Sequence, residues 1–341
     1  MAVPLARQLK HGLPSHRLVI VARNAPMADV FRRLPEVDEV VVAPKPWRMI
    51  RETRQRKPAH YVVPFPSNRW EYNAMQFASR SKSRLMHAYP IGKLKALSVL
   101  PATRLPAERG VHDVVQNLRL LELLDLTPDY NDRPTFALNH DDHAGAAKLL
   151  NPVKLGRGHE FLVMHAGSAQ TVLAAAKRWP PGRYGMLLQA IFRTLKLPVV
   201  LVEGPDEAGV ASEILKHAPA DKIDARVVKL TGPLGESAAL LSYARAYVGS
   251  DSGLAHLAAA VGTPPVTLFA PADPDRVCPF GYRALVVQVQ KMCSPCFLYP
   301  WESCKPKMKC SPPYCIEEIG VEPVMHKLKA ALTDPAFAKK A

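Results

Sequence analysis

Several things are missing from this chain, and each absence narrows what it can be. No apolar run approaches the ~18 residues that a membrane-crossing helix requires, which excludes a helical span. The first residues do not form an apolar block with a cleavage site, so the expectation is a cytoplasmic chain whose cysteines are reduced. Internal repeats and low-complexity tracts are lacking, which argues against solenoids and arrays. Aromatic residues make up only 7%, few of them interleave the basic residues, and no nucleic-acid-binding motif is found. Nucleic acid is therefore not the expected partner. Acid is also scarce, with 30 Asp and Glu against 45 Lys and Arg.

What remains is the composition of an ordinary globular protein. The 341 residues are 48% hydrophobic and 22% charged, enough for two domains that each bury a core. The 33 prolines fall mostly at the ends of apolar or periodic runs, where they act as punctuation. The positive charge is uneven: residues 1–110 hold 20 Lys and Arg but 7 Asp and Glu, and so carry most of the net +15. The densest stretch is KPWRMIRETRQRK, 45–57. Alone, it reads as a solvated face. A whole basic domain implies an anionic partner: nucleic acid, a phosphorylated glycolipid or a membrane surface. Charge by itself leaves these three open.

Apolar runs and helical periodicity alternate along the chain. HRLVIVA (16–22), DEVVVA (38–43) and HYVVPF (60–65) have the Val and Ile content of buried parallel strands. HDVVQNLRLLELLDL (112–126) and DDHAGAAKLL (141–150) have helical spacing. A second series opens with EFLVMHAGS (160–168) and continues strand by helix through LPVVLVEG, ARVVKLTG, AYVGS and PVTLFAPA to a closing helix in IGVEPVMHKLKAALTD. The expected fold is α/β: two doubly wound, Rossmann-like domains, 1–150 and 151–341, joined near 151–159. The start is unusual. MAVPLARQLKHG spaces Ala2, Leu5, Ala6 and Leu9 as a helix, with Gly12 as its expected C-cap and Pro14 beyond. A βαβ domain should begin with a strand.

Three strand ends of the second series carry nucleotide-compatible chemistry. In GSDSGLAHLAAAVGTP (249–264) a strand ends, small residues turn the chain, and a helix begins. Asp251 or Ser252 can cap that helix, whose free N–H groups and dipole suit a phosphate. Gly253 leaves the approach open, Leu254 follows it, and His256 sits one turn after Ser252, able to donate to a phosphate or ribose oxygen. The plainer reading is a capped helix with a satisfied histidine. In HAGSAQTVLAAAKRWPP (165–181), Ser168 lies at a strand edge, and Lys177 can neutralise a diphosphate leaving group; a lone exposed lysine is the plainer alternative. In VEGPDE (202–207), Asp206 or Glu207 can accept from ribose hydroxyls, or can simply cap a helix.

Together, HAGS…KRWPP, GPDE, GSDSGLAHLAAAVGTP and LFAPADPDRVCPFG resemble glycosyltransferase family 9, whose best-known members are ADP-heptose:lipopolysaccharide heptosyltransferases. HDVVQNLRLLELLDL and PEVDEVV add to the resemblance, which runs over nearly the whole chain. It implies the GT-B architecture, with two facing Rossmann-like domains and the nucleotide-sugar donor on the C-terminal one. Ser168, Lys177, Asp251, Ser252, Gly253, Leu254 and His256 would face the diphosphate side of the donor, and Asp206 the ribose. The basic N-terminal domain would face an anionic lipid-linked saccharide acceptor, in peripheral contact with an anionic inner membrane. The implied reaction is inverting and uses neither metal nor cofactor.

The resemblance also implies a strand and a Gly-Asp turn ahead of the first helix, the aspartate being the general base. Met1 stands where that helix is already under way, so the base is expected upstream of it. Its loss would cost roughly 10² to 10⁴ in rate, and a strand missing from within a parallel sheet would strip its neighbours of partners. Asp29 and Glu71 are acids in the same domain, but nothing in the sequence assigns either as a replacement. Five cysteines cluster in 293–315: Cys293, Cys296, Cys304, Cys310 and Cys315. Their spacing fits no standard zinc finger, and the cluster reads as free or structural thiols in preference to a metal site. The expected function is heptose transfer from an ADP-sugar to a lipopolysaccharide core acceptor; the alternative is a homologue that binds the nucleotide-sugar without transferring it.

Overall fold

The computed structural model describes residues 1–90, 97–167, 176–218, 223–289, 291–301 and 314–337. The chain divides into two compact units, one of Met1–Pro134 with Leu298–Lys305, the other of Thr135–Phe297 with Pro306–Ala341. Each is α/β, and all the strand pairs described are parallel.

The first unit contains α1 (Val3–Gly12), β1 (Val19–Ala22), α2 (Ala25–Arg32), β2 (Glu39–Val42), α3 (Pro46–Arg56), β3 (His60–Val62), α4 (Trp70–Ala78), β4 (Ser83–Ala88), β5 (Thr103–Pro106) and α5 (Asp113–Arg119). The apolar side of α1 is buried at Val3, Leu5 and Ala6, as its periodicity predicts. The helix keeps Gly12 as its last residue and caps at Leu13, not at Gly12. The reason is packing: a Cβ on Gly12 would stand 2.6 Å from a methyl of Leu126, so the glycine serves a close approach. The 112–126 helix stops at Arg119 and tightens into a 3₁₀ turn, Leu120–Leu124.

The strands of this unit form two sheets, β1–β2 and β3–β4–β5. Among the described residues no ladder joins β1 to β3, although His16 and His60, at their starts, stack with centroids 5.4 Å apart. The expectation of buried strands fails here: β1 buries only Ala22, and β2 and β3 are half-exposed throughout. Sheets of two and three strands leave more edge than they cover. The returning segment completes the unit. The Tyr299 hydroxyl accepts from the Asn68 N–H at 3.1 Å, and the Trp301 ring lies 6.2 Å from Phe65.

The second unit begins with α6 (His140–Leu150) and continues with β6 (Leu162–His165), α7 (Pro181–Thr194), β7 (Val199–Glu203), α8 (Val210–Lys216), β8 (Ala225–Lys229), α9 (Leu234–Tyr243), β9 (Ala246–Ser250), α10 (Gly253–Ala260), β10 (Pro265–Phe269), α11 (Pro274–Val277), β11 (Val286–Gln288) and α12 (Val321–Thr333). Helix α6 opens on a reciprocal capping box, Asn139 and Asp142 each accepting from the other's N–H at 2.9 Å. The expected division at 150 assigned α6 to the N-terminal domain. Its packing along α9 puts it in the second unit instead.

The six strands run in the order β11-β10-β9-β6-β7-β8. Strands β6, β7, β9 and β10 are buried along their whole length, which is why they read as unbroken apolar runs. Helices α7, α8 and α12 cover the sheet through Tyr184, Leu187, Ile191, Ile214, Val324 and Leu328. Each fully buried side chain of this size stabilises the fold by roughly 1.5–3 kcal/mol. From β6 the chain winds outward through β7 to β8, then returns to place β9 on the other side of β6. Loops after β6 and β9 thus part from neighbouring strands, the position where open α/β sheets form a ligand crevice.

Candidate functional site

Lys177 and Asp251 come from those two loops, seventy-odd residues apart in sequence. The Lys177 ammonium donates to the Asp251 carboxylate at 2.5 Å, and both side chains are largely buried. Two residues after the lysine, Trp179 is fully buried. Its indole N–H donates to the Ile319 carbonyl at 2.9 Å, and its ring meets Tyr184 edge-on at 4.9 Å. This anchor sets where Lys177 can reach. Asp251 is held from its other side by its own N–H, which donates to the Leu268 carbonyl.

Helix α10 starts directly after this pair. Ser252 is its N-cap residue by backbone conformation, yet its hydroxyl makes no capping bond to the helix. The N–H groups of the first turn are therefore not covered by a side-chain cap, and they carry the positive end of the dipole. Gly253 is exposed; a Cβ added there would meet no heavy atom within 4 Å, and its φ is not in the left-handed region. Neither packing nor backbone conformation demands a glycine. What it preserves is free space over the helix start. Leu254 and His256 lie in the same first turns, both partly exposed.

The Ser252 hydroxyl turns inward. It lies 3.2 Å from the Tyr247 hydroxyl and 3.4 Å from Nδ1 of His165, the last residue of β6. His165 is almost completely buried, and its Nε2 is 2.8 Å from the Glu207 carboxylate. A carboxylate only accepts, so Nε2 carries the proton of that bond and Nδ1 is left to the two hydroxyls, Tyr247 at 3.3 Å. The same Glu207 oxygen accepts from the Gly204 N–H at 2.8 Å. Burial raises the Glu207 pKa. The hydrogen bond and ion pair with His165, the Gly204 N–H and the Arg178 charge outweigh it, so the carboxyl is held below its ordinary range. Burial also pushes the Tyr247 and Tyr184 phenols well up, so both stay protonated donors. Gly167 makes room for this arrangement, since a Cβ on it would fall within 2 Å of the Glu207 carboxyl group.

The structure thus brings Lys177, Asp251, Ser252 and Gly253 to one place, with Leu254 and His256 on the adjoining turn. Asp206 stands apart, exposed in the 3₁₀ turn Pro205–Glu207 after β7. Its neighbour Glu207 is the acid tied into the site. Ser168 lies outside the described residues. The sequence reading missed the His165–Glu207 link. The available signal was a histidine closing an apolar strand at the switch point, where a polar side chain is buried only if something receives it. In the first unit, Asp29 is bound by Arg33 at 3.3 Å and Glu71 lies in the opening turn of α4. Cys278 is buried, which pushes its thiol up to about 12, while Cys293 and Cys296 are exposed and Cys315 is partly buried. Cys304 and Cys310 lie outside the described residues. No group of three or more metal-ligating side chains gathers among the described residues, and no described helix is long and apolar enough to cross a membrane.

Residues 92–304 match the profile of Glycosyltransferase family 9 (heptosyltransferase). Lipopolysaccharide heptosyltransferase 3 of Escherichia coli K12 is 30% identical over 173 residues, which is 50% of this chain and 47% of that protein. The chain spans between a third and about half of the length of the curated relatives it matches. Among solved structures, a family 9 glycosyl transferase from Veillonella parvula superposes with a TM-score of 0.78 at 18% identity, covering 97% of this chain and 92% of that one. An E. coli heptosyltransferase solved with ADP gives 0.64 at 16% identity, covering 98% and 94%. At these identities the likeness establishes the fold, the two-domain GT-B architecture.

Proposed function

The chain belongs to glycosyltransferase family 9, and from that premise we propose that it transfers a heptose from an ADP-sugar to an anionic, lipid-linked saccharide of the lipopolysaccharide core, with inversion. The observation that carries the reading is the Lys177–Asp251 pair beside the uncapped start of α10. In the reaction the acceptor hydroxyl bonds to the anomeric carbon as the bond from that carbon to the diphosphate breaks. The nucleoside diphosphate departs with the electron pair, and the hydroxyl proton passes to a base. Negative charge grows on the departing phosphate. Lys177 and the N–H groups of α10 offer positive charge at fixed positions, which favours the transition state over the ground state. The reading needs no metal, because the lysine and the helix start supply that charge. Asp206 remains a proposed ribose contact. ADP as the nucleotide is supported by the relative solved with ADP. The lipid-linked acceptor is supported by the net positive charge of the first third of the chain. We place the reaction on the cytoplasmic side of an inner membrane.

A second reading, binding of the nucleotide-sugar without transfer, draws on Asp29 being engaged by Arg33 and so not offered as a base. One experiment separates the two. ADP binding is measured by calorimetry, and product formation from ADP-heptose and a heptose-deficient lipid-linked saccharide by mass spectrometry. Binding with product supports transfer. Binding without product supports the second reading. No binding at millimolar ADP overturns both.

A further inference from the structure

We propose that the outward face of α3 and α4 in the first unit docks on an anionic lipid bilayer. The two helices pack together through Met49 and Ile50 of one and Tyr72 and Met75 of the other, which fixes the faces left to solvent. On α3 the outward positions are Trp47, Arg51 and Arg54, spaced by four and then three residues, so they form one stripe. On α4 they are Trp70 and Phe77, seven residues apart and therefore on one side of the helix. Trp47, Trp70 and Phe77 are 59%, 52% and 47% exposed, unusual for residues that normally supply cores.

Arginine accompanies two of these rings. The Arg51 guanidinium lies 5.8 Å from the centre of Trp47, and that of Arg84 lies 5.5 Å from the centre of Phe77. Such pairs place a cation and a ring at the same level, as the headgroup region of a membrane receives them. The face is also nearly uniform in sign. Glu52 is spent on Arg51 and Arg56, whereas Arg48 and Arg54 are exposed and have no acid within ion-pair distance among the described residues. Unmatched arginines around protruding aromatic rings complement a surface that is anionic, apolar beneath and able to adapt its shape. That is an anionic bilayer. The inference deepens the lipid-linked acceptor reading and rests on it for why a membrane should be near; the surface itself is argued from these residues alone.

The test uses the full chain and sedimentation with vesicles of phosphatidylcholine, with and without a third of phosphatidylglycerol. Binding is expected only to the anionic vesicles and should weaken at high salt. Each basic residue near a charged membrane contributes about fivefold to binding, so Arg48→Ala with Arg54→Ala should weaken it about 25-fold. Trp47→Ala with Trp70→Ala should weaken it tenfold or more. ADP affinity, a property of the second unit, should be unchanged in both variants and reports that they fold. In the unmodified chain, brominated lipid should quench tryptophan emission, a readout that needs no variant. Equal binding to neutral vesicles, absence of quenching, or full vesicle binding by both variants overturns the proposal. So does a variant that turns an oligomer into a monomer while vesicle binding persists, because the face would then join protein to protein. If ADP fails to bind but anionic vesicles still do, the transferase reading falls and the docking surface stands.

Discussion

Lys177 is held by a charge it can exchange. Bound to Asp251 at 2.5 Å, it is kept extended toward the start of α10, and an arriving diphosphate competes for the same ammonium. Lys177→Met keeps the length of the side chain and removes the charge. ADP affinity should fall about ten- to a hundredfold, with a larger fall in kcat/KM for transfer; calorimetry and steady-state kinetics measure the two. Behind this pair, Glu207 acts on the fold. Its carboxyl is held below its ordinary value near 4.5, burial notwithstanding, by His165, the Gly204 N–H and Arg178. A group whose folded pKa is depressed gives stability that is fully present above the unfolded value and is lost as pH falls through the folded one. Urea midpoints of the unmodified chain should therefore drop on acidification below about 4.5. Glu207→Gln, less stable at neutral pH, should drop less steeply over that interval. Equal slopes for the two proteins would exclude the link.

At the scale of elements, two glycines at strand ends serve different ends. Gly167 makes room for a carboxyl group of its own unit, with less than 2 Å to spare for a Cβ. Gly253 makes room for nothing the protein contains. Gly167→Ala should destabilise the second unit by about 1–3 kcal/mol, as overpacking does. Gly253→Ala should leave thermal stability unchanged or raise it by up to ~1 kcal/mol, since alanine suits a helix better, and should still weaken ADP binding. A paired measurement of melting and ADP affinity on both variants checks this. If Gly253→Ala binds ADP normally, the space over α10 has no role in binding. The motif around Gly253 was legible as strand, turn and helix because its residue types change abruptly there. Ser252 was legible only as a cap. Its inward turn to Tyr247 and His165 depends on β6 and β9 being neighbours, and adjacent residues in sequence carry no record of that.

Across the whole molecule the two units differ in how completely their strands are paired. The second holds six strands in one sheet with a covered core, while the first divides its five between two small sheets. Amides of β6, β7, β9 and β10 should exchange with deuterium only through global opening of that unit. Those of β1 and β3, each laddered on one edge and half-exposed, should exchange orders of magnitude faster. Mass-spectrometric exchange followed by strand gives the answer directly. Comparable protection of β1 and β9 would mean that the open edges are covered in solution. The charge distribution also belongs to this scale. Its excess in the first third was countable in the sequence, but its arrangement with Trp47, Trp70 and Phe77 appears only once α3 and α4 are helices packed on each other.

The sequence by itself determined the alternation of strand and helix, the α/β class and the family, because buried parallel strands and amphipathic helices write their periods into apolar spacing. It also marked the lysine, the Asp-Ser-Gly turn and the helix after it, whose chemistry depends on local chain geometry. The tertiary structure decided that Glu207 is tied into the site while Asp206 stays exposed, that α6 packs with the second unit, and that the first unit's strands lie half-exposed in two sheets. Each of these depends on which distant segments become neighbours. Burial, ion pairing and sheet edges are properties of that neighbourhood, and a linear order of residues does not contain it.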